Sequence, residues 1–231
     1  MLTVRRSEDR GYFDHGWLKS HHSFSFGDYY DPQFMGFGSL RVINDDIIAP
    51  NMGFPTHPHQ EMEIVSYVVR GGLKHKDTLG NGSIIKAGDV QRMTAGTGIR
   101  HSEFAGDEEV HLYQIWILPG TKGLEPSYEQ KQFSALEKQG AWKLVGSEDG
   151  RHGSVTIHQD IAMYSTLVDA GDTVSYAPED NRKLWLQMVS GEAEVNGEVL
   201  FAGDAVAIAF EDEISFKALQ DSEALLFDMA M

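Results

Sequence analysis

Short apolar runs, each cut off by a glycine-bearing turn, recur along this chain and constrain its fold more than any other feature. Glu63–Val69 ends at Arg70-Gly71-Gly72, Ser83–Lys86 at Ala87-Gly88-Asp89, and Val90–Met93 runs into Thr94–Gly98. Further on, Leu184–Val189 ends at Ser190-Gly191, and Glu192–Val195 turns at Asn196-Gly197. Glu198–Phe201 then ends at Ala202-Gly203-Asp204, and Ala205–Phe210 follows. Asn-Gly between two such runs is a strong hairpin signal, because the tight turns that match strand twist need positive φ. Evenly spaced strands broken by turn residues predict an all-β sandwich or small barrel. The two sets also resemble each other. Ala87-Gly88-Asp89-Val90 and Ala202-Gly203-Asp204-Ala205 each open a strand, while Val69-Arg70-Gly71 and Val189-Ser190-Gly191 each close one. Two related antiparallel β-barrels in tandem are expected.

A junction between them is expected where turn residues gather. After the strand-like His111–Leu118 come Pro119, Gly120, Gly123 and Pro126, and a second turn-rich stretch runs from Gly146 to Gly153. Between these, Ser127–Lys138 is expected as a short helix with Tyr128, Phe133 and Leu136 on its apolar side. The division is therefore an N-terminal barrel over 1–120, a linker with a short helix over 121–150, and a C-terminal barrel over 151–231. Charge divides in the same way: residues 1–120 carry 15 acidic and 11 Lys/Arg side chains, residues 121–231 carry 20 and 8. The net charge of −16 argues against direct binding to nucleic acid, which needs cationic side chains to displace counterions. It argues equally against docking on an anionic membrane. No stretch approaches the roughly 18 apolar residues of a membrane span, and no apolar signal segment follows Met1–Arg10. A cytoplasmic protein, and a monomer, is expected.

The chain has no cysteine, which excludes disulfide frameworks, thiolate metal sites and cysteine nucleophiles. Histidine and carboxylate must then carry any metal chemistry. His57-Pro58-His59 places two imidazoles on one face of a strand, and His101-Ser102-Glu103 repeats the spacing with an imidazole and a carboxylate. Two such pairs on facing strands would converge on one divalent ion. Three nitrogens and one oxygen suit iron, nickel, manganese or zinc and leave positions free for a substrate. Gly53 precedes the first pair, and Gly96 and Gly98 the second, where they would let the backbone turn tightly. The remaining histidines take blander readings. His21 and His22, beside Phe24 and Phe26, are expected to pack. His75 and His111 are expected as hydrogen-bonded core or rim residues, with His111 the better candidate to lie beside the ligands. His152 and His158 form no ligand pair.

The run Gly53–Gly71, containing His57, His59 and Glu63, resembles the first cupin motif, and Gly88–Glu103 resembles the second. More narrowly, the His57-Pro58-His59 triplet and the run Met93-Thr-Ala-Gly-Thr-Gly-Ile-Arg-His-Ser-Glu103 are similar to the hallmark wording of the pirins. Trp17, His22-Ser-Phe-Ser-Phe26, Tyr30-Asp31-Pro32 and Leu40–Asp46 match the same pattern. The resemblance implies a bicupin of two jelly-roll barrels, the first metal-bearing and the second without metal. It implies His57, His59, His101 and Glu103 as ligands of one divalent transition metal: iron first, with nickel, manganese, copper, cobalt and zinc as alternatives. In most cupins the carboxylate ligand comes from the first motif, where Glu63 stands, so Glu63 is the rival to Glu103. Glu61 and Glu63 share strand parity with His59, which would bring both near the ions' position. The activity implied is quercetin 2,3-dioxygenase, which opens a flavonol with O2 and releases CO; Glu103, or a carboxylate just outside the ligand set, would take the hydroxyl proton. The alternative is a non-catalytic, metal-binding regulatory protein that acts through a protein partner.

Overall fold

In the strand Val110–Ile117, Leu112, Gln114 and Trp116 point to one face and Tyr113, Ile115 and Ile117 to the other, and both faces are covered. That double burial sets the architecture. A computed structural model describes all residues, 1–231, as four sheets in two matched pairs. In the first half a seven-stranded sheet runs in the order Ser127–Gln132, Asp89–Thr94, Glu63–Arg70, Val110–Ile117, Leu40–Ile48, Leu18–His22, Gly11–Asp14. It packs against a four-stranded sheet ordered Gly53–His59, Ile99–Ala105, Gly72–Asp77, Gly82–Lys86. The second half has a seven-stranded sheet ordered Leu2–Arg5, Ala205–Ala209, Arg182–Ser190, Ser222–Ala230, Ile161–Val168, Lys143–Ser147, Val155–Thr156. Its four-stranded partner runs Thr173–Tyr176, Ile214–Ala218, Glu192–Val195, Glu198–Phe201. Each half is an open jelly-roll sandwich; neither closes into the barrel expected from the hairpin pattern.

The largest core lies between the halves. A cluster of 21 buried residues joins Ile43, Val65, Tyr113 and Ile115 to Trp185, Leu225, Phe227 and Met229, so the two seven-stranded sheets pack back to back. Burial on this scale favours a single folding unit, because either sheet alone would expose a full apolar face. A buried polar knot reinforces the contact. Lys138 Nζ donates to Tyr67 Oη at 2.9 Å and to Glu223 at 3.2 Å, and Tyr67 Oη meets Ser165 Oγ at 2.8 Å.

Three elements differ from expectation. Ser127–Gln132 is a strand, not a helix, because it pairs along the edge strand Asp89–Thr94. Edge pairing of that kind overrides local propensity. Only Ala135–Lys138 is helical, held by a capping box between Ser134 and Glu137, and Leu136 is 85% exposed instead of lying on an apolar side. Leu2–Arg5 crosses over to pair with Ala205–Ala209 in the second half's sheet. Val155–Thr156 pairs parallel with Lys143–Ser147, the one parallel ladder between strands in an otherwise antiparallel fold. No helix is long and apolar enough to cross a membrane.

Candidate metal centre

Gly53–His59 is the edge strand of its sheet, which is why Pro55 and Pro58 are tolerated within it. His57 and His59 share its inward face, and register sets His57 opposite His101 on Ile99–Ala105. Beyond that pair the ladder shifts between His101 and Glu103, so Glu103 faces Phe54. Gly53 is needed here for closeness, not for a turn: a Cβ at this position would lie 2.1 Å from the carbonyl oxygen of Glu103. Gly96 does serve a turn, with φ of +46° and the Leu124 carbonyl 2.0 Å from where a Cβ would stand.

The fold brings His57, His59 and His101 together, each offering a nitrogen within 4.8 Å of the others. His57 Nδ1 donates to the Pro55 carbonyl at 2.8 Å, which fixes the tautomer and leaves Nε2 as a lone pair 3.1 Å from His101 Nε2. Glu103 Oε2 lies 4.0 Å from that same His101 Nε2. The carboxyl is 2% exposed and is held by Ser66 Oγ at 3.3 Å and Gln114 Nε2 at 3.0 Å. Burial dominates the electrostatics of the cluster. It lowers His59 to about 4, with help from His57. It lowers His101 to about 2, reinforced by the neighbouring imidazoles of His57, His59 and His75. Burial raises Glu103 to about 7 against the pull of its Ser66 and Gln114 hydrogen bonds. Neutral imidazole lone pairs beside a buried carboxyl fit a divalent transition ion, whose charge would offset the burial of the carboxylate.

Glu63 is not among the side chains brought together. A turn at Glu61, with φ of +52°, separates it from His59 and resets the parity, so Glu63 points toward the second half. There it is fully buried and accepts from Thr94 Oγ1 at 3.1 Å and from the backbone and Nδ1 of His158 at 3.2 and 3.1 Å. Glu61 instead accepts from the Gly123 backbone N–H. His111 also lies elsewhere. It shares the face of Tyr113, not that of Gln114, and pairs with Asp45 at 2.7 Å.

The neighbour of the cluster is His75, whose ring is 5.3 Å from that of His101. Its Nε2 pairs with Asp77 at 3.1 Å, while its Nδ1 is buried without a partner. His75-Lys76-Asp77 has the same alternate-residue spacing as the two ligand pairs, and that was the available signal. His22 does pack, with Phe13 and Phe26 rings 5.1 and 5.4 Å away.

A cavity of about 340 Å³ opens beside the cluster. Phe26, Phe54 and Trp116 give it aromatic walls, and Asn44, Asp46 and Gln114 a polar one. Aromatic walls next to a cluster of imidazole nitrogens suit a flat, oxygen-bearing aromatic ligand.

Residues 3–117 match the family model described as Pirin, and residues 144–229 that described as Quercetinase C-terminal cupin domain. A quercetin 2,3-dioxygenase of Escherichia coli (strain K12) is 47% identical over 233 residues, covering 99% of both chains. The chain belongs to the pirin family. A pirin-like protein of Caulobacter vibrioides is 44% identical over the whole of both chains. The crystal structure of the E. coli bacterial pirin YhhW in complex with nickel(II) superposes with a TM-score of 0.94 at 46% identity, covering 100% of this pirin and 99% of that chain.

Proposed function

We propose that this pirin is a metal-dependent dioxygenase that opens the heterocycle of a flavonol such as quercetin with O2 and releases CO. The observation that carries the reading is the His57, His59 and His101 cluster, with Glu103 Oε2 4.0 Å from His101 Nε2, beside an aromatic-walled cavity. Its volume, about 340 Å³, falls in the range of small-molecule sites, about 300–1,000 Å³. The sequence relationship to an E. coli quercetin 2,3-dioxygenase supports the same chemistry.

In this reading the four side chains hold one divalent ion, with iron expected first and nickel the first alternative. When bound, that ion supplies Lewis acidity at the flavonol's oxygens and a template for the ring opening. His57 is kept in the ligating tautomer by the Pro55 carbonyl. Phe26, Phe54 and Trp116 hold the flat rings and keep water out. Glu103, on the wall of that cavity, takes the proton of the flavonol 3-hydroxyl as general base. Ser66 and Gln114 keep that carboxyl in place.

The test is to mix metal-assayed protein with quercetin in air and follow the loss of flavonol absorbance. Turnover abolished by a chelator, and by His57→Ala and Glu103→Ala, is expected. No turnover with iron, nickel, manganese, cobalt, copper or zinc would overturn the reading in favour of regulation through a protein partner.

A further inference from the structure

Register places a row of polar side chains across the seven-stranded sheet, facing the cavity. Ser66 lies opposite Gln114, Gln114 opposite Asn44, and Asn44 opposite His22. The first two hold Glu103. The strand that carries Asn44 and Asp46 is one spacing, about 4.8 Å, beyond the strand of Gln114. Its polar groups hold nothing in the metal cluster.

Asp46 is the unusual member. It is 3% exposed, and no arginine or lysine pairs with it. Oδ1 accepts from Ser20 Oγ, whereas Oδ2 receives no hydrogen bond from the protein and is open to the cavity. Beside it, Asn44 is 5% exposed and its Oδ1 has no partner. Asp46 and Asn44 also line a second chamber of about 170 Å³ that continues past Phe26 and Phe54. Two other acids of this half, Asp45 and Asp77, have both carboxylate oxygens met, whereas Glu63 keeps one oxygen, Oε1, without a partner. Asp45 is met by Arg10 and His111, and Asp77 by His75, Leu79 and Asn81. A buried carboxyl without such partners is destabilising unless something else meets it. Burial raises its pKa to about 7, so it can offer or accept a proton at a hydroxyl near neutrality.

We propose that Asp46 recognises a phenolic hydroxyl of the substrate, remote from the oxygens that meet the metal. The inference rests on the flavonol reading above. The four-stranded sheet then supplies the metal cluster, and the seven-stranded sheet reads the hydroxylation pattern of the ligand. Asn44, one step along the same strand face, offers the adjoining amide.

The experiment compares quercetin with 3-hydroxyflavone, which keeps the metal-binding hydroxyl and carbonyl and has no other hydroxyl. Dissociation constants are measured on metal-loaded protein without O2, by quenching of tryptophan fluorescence, for the wild type, Asp46→Asn and Asp46→Leu. Metal content and thermal midpoint are followed in parallel, and the isosteric Asp46→Asn guards against a folding defect in Asp46→Leu. Asp46→Leu should weaken quercetin about tenfold or more, the effect of losing one good hydrogen bond, and should shift 3-hydroxyflavone far less. Asp46→Asn should fall between. Equal losses for both ligands, or no loss for quercetin, would overturn the proposal while leaving the dioxygenase reading intact. A wild type that binds neither flavonol would overturn both.

Discussion

The two halves share one strand order and differ in what fills them. Gly53–His59, Ile99–Ala105, Gly72–Asp77, Gly82–Lys86 corresponds strand for strand to Thr173–Tyr176, Ile214–Ala218, Glu192–Val195, Glu198–Phe201. Gly71 and Gly191 anchor the alignment, each at positive φ and each closed on by a backbone carbonyl, of Glu109 and Asp221 respectively. Counting from them through the register, Ile214 and Phe216 stand where the first half has His101 and Glu103, and Tyr176 stands for His57. The polar row Ser66, Gln114, Asn44, His22 becomes Leu186, Leu226, Tyr164, Leu144. The second interior is accordingly a continuous apolar cluster containing Leu186, Ile214, Phe216 and Leu226. One scaffold therefore does either job, and the inward positions of a few strands decide which. Polar residues there trade core stability for a site; apolar ones give the stability back.

That trade can be broken from either side. The largest effect is expected in the second half, where Phe216→Ala should destabilise the protein by about 3–5 kcal/mol, as for other buried aromatic truncations. Metal content per folded molecule should stay the same. Denaturant unfolding and elemental analysis on one preparation check both, and a loss of metal from the folded variant would contradict the division of labour. Next comes the register-matched change in the first half. His101→Ala should lower metal affinity by at least about 100-fold, since even the outer partners of metal ligands are worth about 10–100-fold. Competition with a chromogenic chelator reads this. Stability of the metal-free protein should change much less than in Phe216→Ala, because His101 packs among polar groups and its Nδ1 is already unpartnered.

The same contrast explains what the sequence could tell. Hairpins were legible because Gly71, Gly88, Gly191 and Gly203 punctuate them at positive φ, a local requirement visible in residue type. The clustering of His57, His59 and His101, with Glu103 beside His101, was legible because two-residue spacing survives within a strand. The reach of that rule ended at Glu61, whose positive φ breaks the strand and turns Glu63 away. Partners set by distant pairing left no local mark: Leu2–Arg5 joins the second half, and Ser127–Gln132 reads as a helix until its edge is paired. The polar wall was hidden for another reason. Asn44 and Asp46 alternate with apolar Ile43 and neighbouring acidic Asp45 in a strand buried on both faces, a pattern that looks like solvent exposure when read alone.

The smallest effect sharpens the comparison at a single matched pair, Asp46 in the first half and Thr166 in the second. Burial raises the Asp46 carboxyl from 3.8 to about 7, so across that window the folded protein keeps a proton that the unfolded chain releases. The stabilising contribution is therefore complete below about pH 4 and is lost as pH rises toward and through 7, by up to about 1.4 kcal/mol per pH unit. His22 has the opposite slope. Burial lowers it from 6.5 to about 4, so stability is lost as pH falls through that range. Subtracting variants isolates the acid: metal-free Asp46→Asn should gain stability relative to the wild type as pH rises from 5 to 7. Thr166→Val, at the matched position, should run parallel to the wild type, because Thr166 bears no titrating group and donates only to the Lys138 carbonyl. Urea unfolding of the metal-free proteins at several pH values measures both differences. Parallel curves for Asp46→Asn would mean that its carboxyl is already ionised in the folded protein, and the polar wall would then be an anionic surface.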